Sequence, residues 1–303
     1  MDHDTLQAEE KALIVALGPR AKTWLNRIGA LLGLAGVVFV GIRLQGYTGE
    51  IDFRRMGAAS YTAIIALAGV YGVSNLLLAL GWRHLLHHLG APVSRPWAIR
   101  TYAISQLAKY VPGNIFQFAG RQAIGVAAGI GNGPLVKSTA YEVAALIVGG
   151  LLFSPLVLPL MAVGASDWFG WISFAALVAV ALCSTAFLGT DLGVAALLYL
   201  AFLAFSGLVF AGAYQLAGGS GEFALYPAIA GAYVLAWLAG LVTPGAPAGI
   251  GVREAVLLFL LGGLSAGPVI LLAVVIGRTI TVLGDLLLFV GGQIADWFLS
   301  DNQ

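Results

Sequence analysis

From Ser138 to Gln303 the chain carries only two basic residues, Arg253 and Arg278, in apolar sequence that breaks only for short connections. Long uncharged apolar runs suit a bilayer core about 30 Å thick, which a helix of roughly 20 apolar residues crosses. Hydrophobic residues make up 60% of the 303 residues and charged ones 10%, against about 25% charged in a soluble domain. With a net charge of +1, this composition excludes a soluble globular enzyme, a disordered chain and an electrostatically driven nucleic-acid binder. The runs are continuous rather than alternating, which excludes a transmembrane β-barrel. The sequence predicts an all-α, polytopic helical membrane protein with about six to eight transmembrane helices.

Thirteen of the fifteen Lys and Arg lie at or before Lys137. Lys11, Arg20, Lys22 and Arg27 precede the first apolar run, Ile28 to Ile42, so the positive-inside rule puts the N-terminus in the cytoplasm. The polar start predicts a retained cytoplasmic tail over 1–24 rather than a cleaved signal. One transmembrane domain is expected over 25–295, with a short tail over 296–303. Its further spans are Ala58–Leu80, Pro134–Met161, Trp168–Leu188, Leu192–Leu216 and Pro268–Gly292, with an interrupted apolar block over Phe223–Leu264. Cys183 is the single cysteine, so no internal disulfide or thiolate metal cluster is expected. His84, His87 and His88 have helical spacing, but with no carboxylate nearby in sequence they read as a basic interfacial face. No metal and no cofactor are expected.

Two stretches are not ordinary spans. Ser105–Ala123 reads SQLAKYVPGNIFQFAGRQA and Ala236–Ala255 reads AWLAGLVTPGAPAGIGVREA. Each has an apolar lead, a Pro-Gly pair, a Gly-containing loop and then an Arg, and Pro112 to Arg121 has the same spacing as Pro244 to Arg253. Proline removes a backbone donor and glycine tolerates helix-ending conformations. Open backbone at membrane depth survives only inside protein or beside a wet cavity, and paired broken segments in two halves of a chain point to a transporter site. Two re-entrant hairpins in inverted repeat are therefore expected, at about 101–130 and 230–264. Alternatively Phe223–Val242 crosses by itself, which raises the span count.

Each helix that restarts after a break offers free N–H groups and a positive dipole end. With Arg121 or Arg253 beside it, that end makes a receptor for a phosphate-like anion. Lys109 flanks the first break, and Asn114 and Gln117 can donate to phosphate oxygens. An arginine at the centre of a membrane helix costs about 2.5–3.5 kcal/mol, so Arg253 and Arg278 need partners or a cavity. Glu142, Glu254 and Asp285 are the available carboxylates. Arg278 and Asp285 share a helix face about 10 Å apart, too far to pair directly. Ion pairs that fix helix registry remain an alternative, as does proton coupling through Glu142 or Asp285.

KYVPGNIFQFAGR resembles the Tyr/Leu-Pro-Gly-x-(Ile/Val)-(Trp/Phe)-Gln pattern of the lysylphosphatidylglycerol synthase transmembrane-region family. TPGAPAGIGVREA is similar to that family's second signature, Pro-Gly-x-Pro-Gly-Gly-(Leu/Ile)-Gly-x-Arg-Glu, departing from it at Ala248. The resemblance spans about 25–295. It implies a flippase-like membrane domain without the soluble aminoacyltransferase domain of the fused members, hence a non-enzymatic lipid transporter in a bacterial inner membrane. Pro112, Gly113, Gln117 and Arg121 would form half of its site, and Pro244, Gly245, Gly249, Gly251, Arg253 and Glu254 the other half. The cargo implied is an anionic membrane lipid or lipid-linked intermediate; undecaprenyl phosphate, a glycolipid and a hopanoid-type lipid stay open. So do an intramembrane lipid-modifying enzyme, a non-transporting scaffold, and a homo-oligomer or biosynthetic partner. No nucleic-acid partner is expected.

Overall fold

A computed structural model describes residues 57–110, 116–161, 168–243, 249 and 251–300, with side chains as far as Gln293. Among these residues all regular structure is helical. Helix α1 is Ala58–His88 and α2 is Arg95–Gln106, continued by a 3₁₀ turn over Leu107–Tyr110. Then come α3 (Phe116–Ala127), α4 (Asn132–Leu151, prolonged by short turns to Met161), α5 (Trp168–Leu188) and α6 (Thr190–Leu216). The chain continues with α7 (Tyr226–Val242, led by a 3₁₀ turn from Phe223), α8 (Val252–Leu261) and α9 (Gly267–Ser300).

Among the described residues six segments are long and apolar enough to cross a membrane: Ala58–His88, Asn132–Met161, Trp168–Leu188, Thr190–Leu216, Phe223–Val242 and Gly267–Gln293. The chain is thus a multi-pass membrane protein. Ile28–Ile42 lies outside the described residues, while Phe223–Val242 joins the set because its 20 residues run unbroken up to the Pro-Gly pair. The second span also outlasts its apolar run: Arg83, His84, His87 and His88 form the last turns of α1, which stops only near Gly90, where φ is +74°. Polar side chains do not end a helix; a breaker does.

Helix α6 is central, packing on α1, α4, α5, α7 and α9. Small residues let backbones approach, as membrane bundles require in the absence of a hydrophobic drive between helices. A Cβ on Gly72 of α1 would sit 2.9 Å from the Gly284 carbonyl of α9, and one on Gly207 of α6 would sit 2.8 Å from the Ala230 carbonyl of α7. Between these seams Trp82, Tyr199, Phe202 and Phe210 are fully buried. In α5 only 17% of the apolar window is buried inside the protein, so most of its face is left for lipid.

The two broken segments fold back on themselves. Gly120 of α3 stands across from Ser105 of α2, its Cβ position 3.6 Å from the Ser105 Cβ. Gly249 stands across from Gly240 of α7, the Cβ position of each within 2.9 Å of the other's Cα. In residue number these two pairs are centred on Pro112-Gly113 and on Pro244-Gly245, which lie outside the described residues.

Candidate functional site

Residues from both reversals meet at one small polar cavity of about 70 Å³. Hairpin α2–α3 contributes Gln106, Lys109 and Gln117, and hairpin α7–α8 contributes Trp237 and Arg253. Helix α4 adds Glu142, and α9 adds Arg278 and Thr281. At 10–15 Å³ each, the space holds a few waters or one small anion. A larger groove of about 490 Å³ between α4, α5 and α6 is almost wholly apolar, so the charged groups single out the smaller cavity.

Among the described residues, four cations and three carboxylates surround it. Arg121 is closed off: its Nη1 and Nη2 donate to Glu142 at 2.7 and 3.1 Å, and both side chains are about 98% buried or more. Tyr102 also donates to Glu142, at 2.9 Å, and the Tyr102, Phe118 and Trp82 rings lie 4.4–5.4 Å from the guanidinium. Lys109 pairs with Asp285 at 2.7 Å. Asp285 also accepts from Asn75 Nδ2 at 3.0 Å and from the Tyr110 hydroxyl. Arg278 reaches Glu254 at 3.3 Å. Thus Arg278 and Asp285, two turns apart on α9, each take a partner from a different hairpin.

Arg253 differs. Among the described residues no carboxylate lies within ion-pair distance of it, and its buried Nε has no hydrogen-bond partner. Its guanidinium lies 5.9 Å from the Trp237 ring. The side chain leaves α8 through a gap between two glycines: a Cβ on Gly240 or Gly249 would come within 2.9 Å of Arg253 Nε. Gly249 has φ +73° and Gly251 φ +85°, conformations that favour glycine. The Gly251 N–H donates to Glu254 Oε2 at 2.6 Å, so Glu254 occupies a donor at the start of α8 while it neutralises Arg278.

The expected site residues Lys109, Gln117, Glu142, Arg253 and Arg278 therefore line the cavity, with Arg121, Glu254 and Asp285 behind them as partners. Pro112, Gly113, Asn114, Pro244 and Gly245 lie outside the described residues. Sequence reasoning missed Tyr71, Asn75, Tyr102, Tyr110 and Trp237. Asn75 alone left a signal, an amide in the middle of an apolar span. The histidines do find a carboxylate: His84 and His87 Nδ1 contact the two oxygens of Asp191, at the start of α6, at 3.0 and 2.7 Å. No grouping suited to a metal ion occurs among the described residues.

No protein-family model matches the chain, and no curated protein matches it either.

Proposed function

We propose that this protein moves a phosphate-bearing anionic lipid between the leaflets of a bacterial cytoplasmic membrane, its N-terminus on the cytoplasmic side. The observation that carries the reading is Arg253, a cation on a membrane-embedded cavity without a carboxylate partner among the described residues. A charge at that depth is expensive, and a bound anion offsets the cost. Among the described residues, four cations against three carboxylates leave the cluster with one positive charge in excess, which a phosphodiester monoanion would neutralise. Gln106, Gln117, Tyr71 and Thr281 line the same space and provide neutral hydrogen-bonding groups for its oxygens.

In this reading α2 and α3 form a re-entrant hairpin. At 12 residues each they rise about 18 Å, short of the bilayer core. Helix α7 is the longer leg of a second such device, related to the first by an inverted repeat. The phosphate enters the cavity while the tails stay among lipids, and the resemblance of TPGAPAGIGVREA to a flippase-like family's signature supports the same cargo class.

Leaflet exchange in proteoliposomes tests the proposal. Fluorescent phosphatidylglycerol should exchange rapidly, a zwitterionic lipid at least tenfold more slowly, and Arg253→Ala should abolish the difference while remaining folded. Unchanged exchange in Arg253→Ala would sink the reading.

A further inference from the structure

Lys109 lies between Asp285 and the cavity. Its side chain is 18% exposed whereas that of Asp285 is fully buried, and Lys109 lines the cavity whereas Asp285 does not. The two oxygens of Asp285 are held independently of the lysine. Oδ1 accepts from Asn75 of α1, and Oδ2 accepts from Tyr110 in the 3₁₀ turn. If Lys109 turned away, the carboxylate would keep two donors.

Lysine suits such a movement. Its ammonium is a point charge on four rotatable carbons with three donors, unlike the planar fork of arginine. It also sits 5.3 Å and 6.0 Å from the Tyr110 and Tyr71 ring centroids, so aromatic faces line its position between the carboxylate and the cavity. Arg121 cannot move in this way, since Glu142 grips it with two bonds. Arg278 is tied to the residue that caps α8.

We propose that Asp285 is a built-in competitor for the anion site. It holds Lys109 while the cavity lacks an anion, and surrenders it when a phosphate oxyanion binds between Lys109 and Arg253. This rests on the anion-site reading above and adds an exchange step to it. Lys109 is then a second ligand for the phosphate, and Asp285 a positioning residue that sets affinity and drives release. Asn75 and Tyr110 keep Asp285 in place through the cycle. The other charged groups around the exchange, Arg253, Arg278 and Glu254, change no partner in it apart from the phosphate contact of Arg253.

Calorimetric titration of the purified full chain in detergent, with soluble short-chain phosphatidylglycerol and separately with inorganic phosphate, tests the exchange. Asp285→Asn should tighten binding about tenfold by removing the competing charge, and Lys109→Gln should weaken it by a similar factor. In the Lys109→Gln background the gain from Asp285→Asn should shrink below threefold, which a general electrostatic effect would not do. Should Asp285→Asn fail to fold, Tyr110→Phe answers the same question: it leaves Asp285 more dependent on Lys109 and should weaken binding severalfold. Unchanged or weaker binding in Asp285→Asn, or unchanged binding in Tyr110→Phe, overturns the exchange if Arg253→Gln still abolishes binding. If Arg253→Gln binds like wild type, the anion site itself is wrong. The pattern with either ligand supports the exchange. Shared by inorganic phosphate, it identifies the phosphate as the group read; confined to the lipid, it identifies the whole headgroup.

Discussion

The two Pro-Gly motifs are followed by an arginine at the same offset, and the helices that come next treat those arginines in opposite ways. After the first reversal, α4 delivers Glu142, which meets Arg121 with two charge-assisted bonds in a ring of aromatic side chains. After the second, α9 delivers another cation, Arg278, beside Arg253 on the same cavity, and the nearby carboxylate Glu254 is spent on Arg278 and on a helix cap. A repeated motif thus yields a paired strut on one side and, in the proposed function, an anion receptor on the other. The difference lies in the partner helix and not in the motif.

The comparison breaks most sharply at the arginines. Arg121→Gln should cost about 3–5 kcal/mol of stability, since it leaves Glu142 buried without its counterion; thermal unfolding in detergent would measure it. Arg253→Gln should cost under about 1 kcal/mol by the same assay, because no described carboxylate loses a partner. If the two variants melt alike, the strut-and-receptor distinction is wrong.

The glycines sharpen it next. Gly240→Ala would force a Cβ to 2.9 Å from both Gly249 Cα and Arg253 Nε, and overpacking of this kind costs about 1–3 kcal/mol. It should also displace Arg253 and change the fluorescence of the adjacent Trp237. The corresponding change on the first hairpin, Gly120→Ala, meets Ser105 at an ordinary 3.6 Å and should stay within about 0.5 kcal/mol of wild type. Between them in size, Glu254→Gln should lose about 1 kcal/mol through a weaker cap and a lost partner for Arg278. Its melting point would fall less than that of Gly240→Ala.

Much of this was legible in the sequence. Uninterrupted apolar runs gave the membrane class, because hydropathy is a local property, while Pro112-Gly113 and Pro244-Gly245 lie outside the described residues. The pairings were not legible. Lys109 and Asp285 come together from distant parts of the chain, and nothing in either local sequence selects one carboxylate over another. Asn75 and Asp285 meet across 210 residues. Likewise nothing in the sequence marks Tyr102 and Tyr110, and only tertiary packing turns their hydroxyls towards Glu142 and Asp285. The end of α1 was misjudged because hydropathy marks where the lipid stops, whereas the helix continues to His88.

The Lys109–Asp285 contact also bears on how the molecule is made. Arg121 meets its counterion in the very next helix, so the first hairpin neutralises that charge soon after it leaves the ribosome. Lys109 cannot do the same, because its partner sits on the last helix and 175 residues separate Asp285 from the neighbouring Tyr110. Throughout elongation the first hairpin therefore carries a largely buried cation that waits for α9 to bring its mate. A nascent chain stopped before Gly267 would hold that lysine without the carboxylate it pairs with.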